Sequence, residues 1–277
     1  LKMAAEKTGV TYISLMNGYM SKYYKGVRPV SRTHYSYKYM LRLSPGIRDF
    51  ITVVAERAAF KAAHRPFRSL RKKHKLNKLN SYLDELEGDQ NLICDEERLF
   101  PQQNLPENYE VIGALMYRSQ HTNTEEVPAE ENGKPGIAIC LGSSGNWESL
   151  SFLQQDKYQH LRFIVAGDHR RILKGKQFIH RSFVNFDAIL PHCSLMICHG
   201  GNGTIYEGLK HNTFMLFITH HFEQEWNAMR VQDLGYGRVI NDAPEMQFDA
   251  CLGESVAAQV FSETPKETAS LTLVLEK

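Results

Sequence analysis

The loop at residues 199–204, HGGNGT, is the strongest chemical signal in the sequence, because it joins the apolar run SLMIC to a helical pattern. Three glycines in one loop let the backbone approach a ligand closely. The start of a helix adds free N–H groups and partial positive charge, which suit a phosphate. Thr204 can cap the helix or donate to a phosphate oxygen. An ordinary tight strand-to-helix turn explains the loop equally well when it is considered alone.

Two neighbouring features strengthen the phosphate interpretation. The loop at residues 142–145, GSSG, follows another apolar run, GIAICL, and it again combines glycine with hydroxyl side chains. Glu207 lies one helical turn beyond Thr204, so both side chains face the same side of the helix. A ribose hydroxyl is a natural partner for Glu207, although a capping carboxylate would give the same pattern. Two such loops in one sheet favour a phosphate or nucleotide site over two plain turns.

A third loop, THHFEQ at residues 219–224, places an acceptor beside a donor. Glu223 and Gln224 together suit the vicinal hydroxyls of a sugar. The alternative is a helix N-terminus with acidic residues in its first turn. The adjacent His220 and His221 are typical of surface or packing residues. We find no zinc-type spacing of Cys and His and no HExxH motif, so neither metal nor cofactor is expected.

The elements that must hold these loops alternate regularly from Gly136 to Ile240. Continuous apolar strands followed by helical patterns predict an α/β fold with a parallel sheet covered on both faces, and ligands then bind at the carboxyl ends of the strands. Residues 121–135 are polar and rich in Pro, Gly and Glu, and they predict a linker between a domain at 1–120 and a domain at 136–277. The first domain shows a long helical region over 46–86 and strands in NLICDEERLFP and YEVIGAL.

Composition excludes several classes of protein. The 277 residues carry 33 Lys+Arg against 31 Asp+Glu, a balance that gives no reason to expect nucleic acid as a partner. The sequence has no run long enough for a transmembrane helix, and its five cysteines lack disulfide or metal spacing, which indicates a cytoplasmic protein. Residues 57–78 hold nine Lys or Arg and no acid, so they are a solvated helix face or a peripheral contact to an anionic membrane.

The loops in combination resemble the signature of the UDP-glycosyltransferase superfamily. In that signature a strand enters H-x-G-x-x-[ST], Glu follows three residues later, and the next strand leads to an acidic residue, Gln and then Asn. The matching residues here are His199, Gly201, Thr204, Glu207, Glu223, Gln224 and Asn227. The resemblance is strong from Gly136 to Ile240 and weak before it.

The resemblance implies a fold of the GT-B type, two facing Rossmann-like domains, with the nucleotide sugar held by the second. It implies that the diphosphate meets His199 and the amides that follow it, the ribose meets Glu207, and the transferred sugar meets Glu223 and Gln224. The residues assigned in this way to the nucleotide sugar are Gly142, Ser143, Ser144, Val184, His199, Gly200, Gly201, Asn202, Gly203, Thr204, Glu207, Glu223 and Gln224. The sequence departs from the plant form of the signature at Arg181, where the family has a Trp that stacks on the base, so Phe183 or the backbone near Val184 is expected to contact the base instead.

The expected activity is transfer of a hexose from a nucleotide diphosphate sugar, UDP-linked by resemblance, to a small hydrophobic or lipid hydroxyl with inversion. Such a transfer needs a general base. In the family this base is a His near the start of the first domain, which we expect upstream of Leu1 in a part of the domain that this chain lacks; neither His34 nor His64 follows a first strand. The alternatives are a non-catalytic nucleotide-sugar-binding module and a nucleotide-sugar epimerase.

Overall fold

The computed structural model describes residues 1–32, 34–116, 136–143, 145–240 and 243–255, with side chains as far as Leu252. Within these ranges the chain forms two compact units, one over Leu1–Leu115 and a second from Met116 onward. The predicted linker at 121–135 lies outside the described residues, and the predicted domain boundary therefore stays a prediction. Among the described residues no helix has the length and apolar character needed to cross a membrane.

The first unit is a small parallel sheet with helices. Its elements are α1 (Lys2–Thr8), β1 (Ile13–Met16), α2 (Tyr37–Met40), α3 (Pro45–Ala63), α4 (Arg65–Lys73), α5 (Tyr82–Leu86), β2 (Gln90–Ile93) and β3 (Tyr109–Val111). The strands follow the order β1-β2-β3, and both pairs are parallel.

Two predictions for this unit were wrong in their extent. The single helical region predicted over 46–86 is three helices: α3 ends at Ala63, α4 has Pro66 in its first turn, and α5 follows after residues 74–81. The strand predicted in NLICDEERLFP ends at Ile93 instead of continuing to Pro101. Beyond it, Asp95 accepts a hydrogen bond from the Gly18 amide at 2.6 Å, which ties the chain to the loop after β1.

A buried ionic network joins the helices of the first unit. Arg71 is 1% exposed and donates to both carboxylate oxygens of Glu85, at 2.5 and 2.8 Å. Its two terminal nitrogens also contact the carboxylate of Glu6, each at 2.8 Å. His64, which is fully buried, adds a contact from Nε2 to Glu85 at 2.8 Å. One residue of the basic stretch is therefore a core residue, and it is held by two carboxylates from distant parts of the sequence.

The second unit is a doubly wound sheet of six parallel strands. Its elements are β4 (Gly136–Cys140), β5 (Arg162–Ala166), β6 (Phe178–Arg181), α6 (Phe186–Ile189), β7 (Cys193–Cys198), α7 (Asn202–Lys210), β8 (Phe214–Phe217), α8 (Phe222–Asp233), β9 (Gly237–Val239) and α9 (Pro244–Ser255). The order β6-β5-β4-β7-β8-β9 is that of a Rossmann-type sheet, in which the chain reverses direction across the sheet between its first and fourth strands. The predicted α/β parallel sheet is confirmed.

The helix predicted in NWESLSFLQQDKY is instead two 3₁₀ helices, Trp147–Gln154 and Asp156–Tyr158. The Ser149 hydroxyl donates back to the carbonyl of Asn146 at 2.6 Å, and such local bonds compete with regular helical bonding.

Both faces of the six-stranded sheet are covered, which explains its continuous apolar strands. On one face Ile137, Ile139, Phe163 and Leu195 pack in a single cluster with residues of the 3₁₀ helix and with Phe248 of α9. On the alternate positions of the strands, Ala138, Ile164, Met196 and Met215 are at most 1% exposed. Alternate side chains of a strand point to opposite faces, so a strand buried on both faces has no polar positions.

Candidate functional site

The loops after β4 and β7 meet at the switch point of the sheet, because these strands are neighbours and run in parallel. Connections to either side leave a crevice at this place, where sheets of this type bind ligands. The His199 Nδ1 lies 3.4 Å from the carbonyl oxygen of Cys140, across the two strand ends. Gly142 has φ +61, and a Cβ atom placed there would lie 3.1 Å from the His199 ring. The two glycine-bearing loops predicted to act together are therefore in contact.

The glycine loop is packed too tightly for side chains at two of its positions. Gly200 has φ +85, and an added Cβ would lie 2.7 Å from the carbonyl oxygen of Gln224. A Cβ on Gly201 would lie 2.5 Å from Nε2 of His199. Gly203 differs, because an added Cβ would have no described atom within 4 Å. Gly200 and Gly201 are therefore needed for the close packing of the loop, whereas the space beside Gly203 is open.

The N-terminus of α7 is open toward this space. Gly201 is its N-cap, and among the residues that the structure describes no side chain caps the helix. Of the two roles considered for Thr204, capping is therefore wrong and donation to a phosphate oxygen stays a prediction; its side chain hydrogen-bonds the Cys140 sulfur. The first backbone amide with an intrahelical partner is that of Ile205, which donates to Gly201 at 3.1 Å. The amides of residues 202–204 carry the positive end of the helix dipole.

A cavity of about 550 Å³ begins at this helix end. Its walls are formed by Phe183, Val184, Asn185, Phe186, Asp187, His199, Gly201, Asn202, Gly203, Thr204 and Glu207. The structure thus brings together most of the residues predicted for the diphosphate, the ribose and the base. Ser143 is exposed in the loop after β4 but does not line the cavity, and Ser144 lies outside the described residues.

The surroundings of His199 favour its neutral form by lowering its pKa. Burial lowers the pKa of its imidazole below the usual 6.5, and the nearby His221 adds to this shift. The contact with the Cys140 carbonyl and the charge of Glu223 act in the opposite direction. Since a carbonyl oxygen can only accept, Nδ1 carries the proton and Nε2 is left to interact with a ligand.

Glu207 sits half-buried beside a charged group that lines the same cavity. Burial raises the pKa of the Glu207 carboxyl, and the neighbouring Asp187 raises it further. Asp187 itself is bonded to the Lys210 ammonium and to Nε2 of His211, the latter at 2.9 Å. Asp187, Glu207 and His211 place ligand atoms within 4.8 Å of one another, a set that suits a divalent cation, but the Lys210 ammonium already neutralises Asp187.

The pair predicted for the sugar lies at the N-terminus of α8, next to the glycine loop. Gln224 is 2% exposed, and its Oε1 accepts a hydrogen bond from the His220 amide at 2.9 Å. Glu223 is partly exposed, and its charge acts on His199. Neither side chain lines the 550 Å³ cavity. Both stand on the same side of the sheet as the glycine loop, and their contact with a sugar stays a prediction.

Two asparagines have roles that the sequence did not reveal. Asn227 is fully buried, and its Nδ2 donates to the Gly200 carbonyl at 3.0 Å, which fixes the glycine loop to α8. Its place three residues after Gln224 was the only sequence signal. Asn185 lines the cavity and caps α6, since its Oδ1 accepts from the Asp187 amide at 3.1 Å. Arg181 does not line the cavity, whereas Phe183 and Val184 do.

A doubly wound sheet whose switch point faces a glycine loop and an open helix N-terminus is a Rossmann-type domain, and the solved structures that share its fold are GT-B glycosyltransferases. Residues 133–267 match the model of the glycosyltransferase family 28 C-terminal domain. The predicted kinship with GT-B glycosyltransferases is confirmed.

Relatives and solved structures agree with this assignment. The chain is 22% identical over 257 residues to a PGL/p-HBAD biosynthesis glycosyltransferase of Mycobacterium tuberculosis, which covers 86% of this chain and 56% of the relative. The chain thus spans about half the length of the curated relatives that it matches. A solved glycosyltransferase of kitacinnamycin superposes with a TM-score of 0.62 at 18% identity, covering 92% of this chain and 64% of the other. The spinosyn rhamnosyltransferase SpnG complexed with thymidine diphosphate has a TM-score of 0.53 at 18% identity, covering 69% of this chain and 53% of the other. These structural likenesses show the fold.

Proposed function

We propose that the second unit binds the diphosphate of a nucleotide sugar at the switch point of its sheet. The observation that carries the proposal is the open N-terminus of α7, which faces a cavity of about 550 Å³ beside His199. A diphosphate needs several N–H donors and positive potential, and the amides of residues 202–204 supply both. His199 adds a group that gains a proton when negative charge arrives beside it. This combination neutralises a diphosphate without a metal ion.

The base and ribose fit the far side of the same cavity. Phe183 is 46% exposed and lies with Val184 in the cavity wall, so an apolar surface is available to a base. Glu207 is placed to accept from the ribose hydroxyls. Because SpnG was solved in complex with thymidine diphosphate, we extend the predicted UDP preference to dTDP as a second candidate. Calorimetry with UDP, dTDP and GDP tests the proposal, and the absence of binding by all three nucleotides would refute it.

The transferred sugar is assigned to Glu223 and Gln224. The Oε1 of Gln224 accepts a hydrogen bond from the His220 amide, so substitution of Gln224 also disturbs the loop after β8. The sharper test is therefore Glu223→Gln, which keeps the size of the side chain and removes the acceptor pair. We expect this variant to lose affinity for the nucleotide sugar while it binds the bare nucleotide as before. Equal losses for both ligands would remove Glu223 from the sugar site.

For the whole protein we propose transfer of a hexose, with inversion, to a hydroxyl of a small hydrophobic or lipid acceptor. The acceptor's proton needs a base, and neither early histidine suits that role. His64 is fully buried and bonded to Glu85, while the Nδ1 of His34 contacts the Ser36 hydroxyl at 2.7 Å. We therefore propose that the base is neither of these two histidines. A transfer assay of this chain with UDP- and dTDP-sugars and a phenolic acceptor should show weak turnover, and robust turnover would show that the base is present.

A non-catalytic nucleotide-sugar-binding protein is the second candidate, since the switch-point cavity alone supports binding and not transfer. The two candidates differ in the presence of the base. Supplying the chain with the first half of a GT-B acceptor domain should raise turnover in the glycosyltransferase case and leave it unchanged in the binding-protein case.

A further inference from the structure

The helices α3 and α4 form one long arm on the first unit. The helical hydrogen bonds continue through their junction, from the His64 amide to the Phe60 carbonyl and from the Arg68 amide to the His64 carbonyl, each at 3.1 Å. The inner side of the arm packs on α5. Phe60 and Phe67 contact the Tyr82 ring, at centroid distances of 6.4 and 5.5 Å, and the buried network around Glu85 continues the contact.

The outer side of α3 carries an exposed apolar stripe. Ile47, Phe50, Ile51 and Val54 are 53, 69, 40 and 50% exposed, respectively. Their spacing of three and four residues places them on one side of the helix. None of the 19 residues of α3, all of which the structure describes, is buried. A helix that presents large apolar side chains to solvent in a continuous stripe indicates a contact surface.

The outer side of the arm becomes basic where α4 begins. Lys61, Arg65, Arg68 and Lys72 continue the same helical spacing, and all four are exposed. Arg71, in contrast, faces inward and is neutralised by its carboxylate partners. The outer arm surface, defined as the apolar stripe of α3 together with these four basic residues, is thus apolar at one end and cationic at the other.

The sequence around these four residues holds few acids, although Lys22 and Arg71 are paired with carboxylates outside it. Residues 17–80 contain sixteen lysines and arginines and only two acids, Asp49 and Glu56. Both acids contact Arg28. The Arg28 amide donates to Asp49 at 2.9 Å, and its side-chain Nε donates to Glu56 at 2.6 Å. The chain as a whole has a net charge of only +2, so the positive charge is concentrated in this segment.

We propose that the outer arm surface docks on an anionic lipid surface. Cationic side chains attract the anionic headgroups, and an adjoining apolar stripe enters the boundary between headgroups and acyl chains. A polyanion without a hydrocarbon layer, such as nucleic acid, would satisfy the charges but would leave Ile47, Phe50, Ile51 and Val54 without a partner. The inference goes beyond the proposed nucleotide site and does not depend on it, because it concerns only the first unit.

Co-sedimentation of the full chain with vesicles tests whether the basic residues of the outer arm surface contribute to lipid binding. We expect binding to phosphatidylcholine vesicles that contain roughly a third phosphatidylglycerol, and weaker binding as salt shortens the range of the attraction. Each basic residue near such a surface strengthens binding about fivefold, so R65E/R68E/K72E should weaken it by more than about 100-fold. Absence of binding to the anionic vesicles, or unchanged binding by this variant, would overturn the proposal. Binding of the wild type to duplex DNA but not to vesicles would also overturn it.

A second pair of variants separates docking from general loss of charge or structure. F50S/V54S removes part of the apolar stripe and should weaken vesicle binding without changing its salt dependence. The matched control R171E/K174E/K176E reverses three exposed charges of the second unit and should bind vesicles as the wild type does. Nucleotide affinity measured on the same preparations should not change in any of the arm variants. Equal weakening by the control and by R65E/R68E/K72E would show a nonspecific charge effect and refute docking through the arm.

Discussion

Substitution of Gly203 by alanine should change the affinity for nucleotide without lowering the stability of the fold. Gly203 is the second residue of α7 and lines the cavity. An added Cβ would meet no described atom within 4 Å, and the residue is not among those with positive φ. Alanine also favours a helix over glycine by up to about 1 kcal/mol. The free protein should therefore keep its stability or gain slightly.

The ligand should respond quite differently. A methyl group at this position stands where a phosphate must approach the first amides of α7. Loss of one hydrogen bond to a charged group costs about 1.5–3 kcal/mol, which corresponds to a Kd about 10- to 150-fold weaker. The cavity of about 550 Å³ is far larger than one methyl group, so the effect comes from this local contact and not from blocked entry.

Calorimetric titration with UDP and dTDP, together with thermal unfolding, measures both effects. Gly46→Ala is the matched control, because Gly46 is also the second residue of a helix and an added Cβ there has no described atom within 4 Å. Gly201→Ala should behave differently from both, since its Cβ would lie 2.5 Å from His199 and stability should fall with affinity. If Gly203→Ala binds nucleotide within about twofold of wild type while wild type binds well, the phosphate does not sit at α7.

Four further predictions concern groups around this loop and in the first unit. Because burial lowers the pKa of His199 below 6.5, His199 should take up a proton when the diphosphate binds, so affinity should rise as pH falls toward about 6. Calorimetry in two buffers of different ionisation enthalpy measures this proton uptake, and His199→Gln should abolish it. Arg71→Ala should destabilise the chain by about 3–5 kcal/mol in urea unfolding, because it leaves a buried carboxylate uncompensated. Burial raises the pKa of Glu85, but the bonds from Arg71 and His64 outweigh it and hold that pKa below 4.5, so the network's stability is present above this pH and is lost as pH falls further. Asn227→Ala should weaken nucleotide binding by releasing the glycine loop.

The alternation of strands and helices in the second unit could be predicted because it is a local pattern. Each strand buried on both faces is an apolar run, and each turn is marked by glycine or polar residues. The order of the strands is not local. That β4 lies next to β7, across 52 residues, follows only from pairing, and it is this neighbour relation that brings Gly142 beneath His199.

The errors share a physical cause. Gln224 was assigned to a sugar because its donor and acceptor suit hydroxyls; that assignment stays a prediction, but the sequence did not show that its Oε1 also accepts from the backbone amide four residues earlier. Thr204 was a candidate cap, yet its side chain bonds to Cys140, a residue 64 positions away in the sequence. Arg71 was predicted to lie on a basic surface, but it is buried, and its partner Glu6 is 65 residues away in the sequence. Residue type shows what a side chain is able to bind, while its actual partner is decided by folding.

Asn227 is where this distinction has the clearest consequence for binding. Its Nδ2 donates to the carbonyl of Gly200 at 3.0 Å, and Gly200 has φ +85, so the bond fixes an unusual peptide directly before the amides of α7. Asn227→Ala leaves that buried carbonyl without its donor, which costs about 1–3 kcal/mol. Asn227→Asp keeps the size but cannot donate when ionised, so it should not rescue the loss. The control is Gln232→Ala on the same helix, whose Oε1 accepts from the Val239 amide at 2.9 Å and so anchors β9 instead of the loop. Both alanine variants should unfold at lower urea concentration, but only Asn227→Ala should bind UDP or dTDP more weakly, by about tenfold or more. Equal nucleotide affinity in the two variants would mean that the orientation of the glycine loop does not determine phosphate binding.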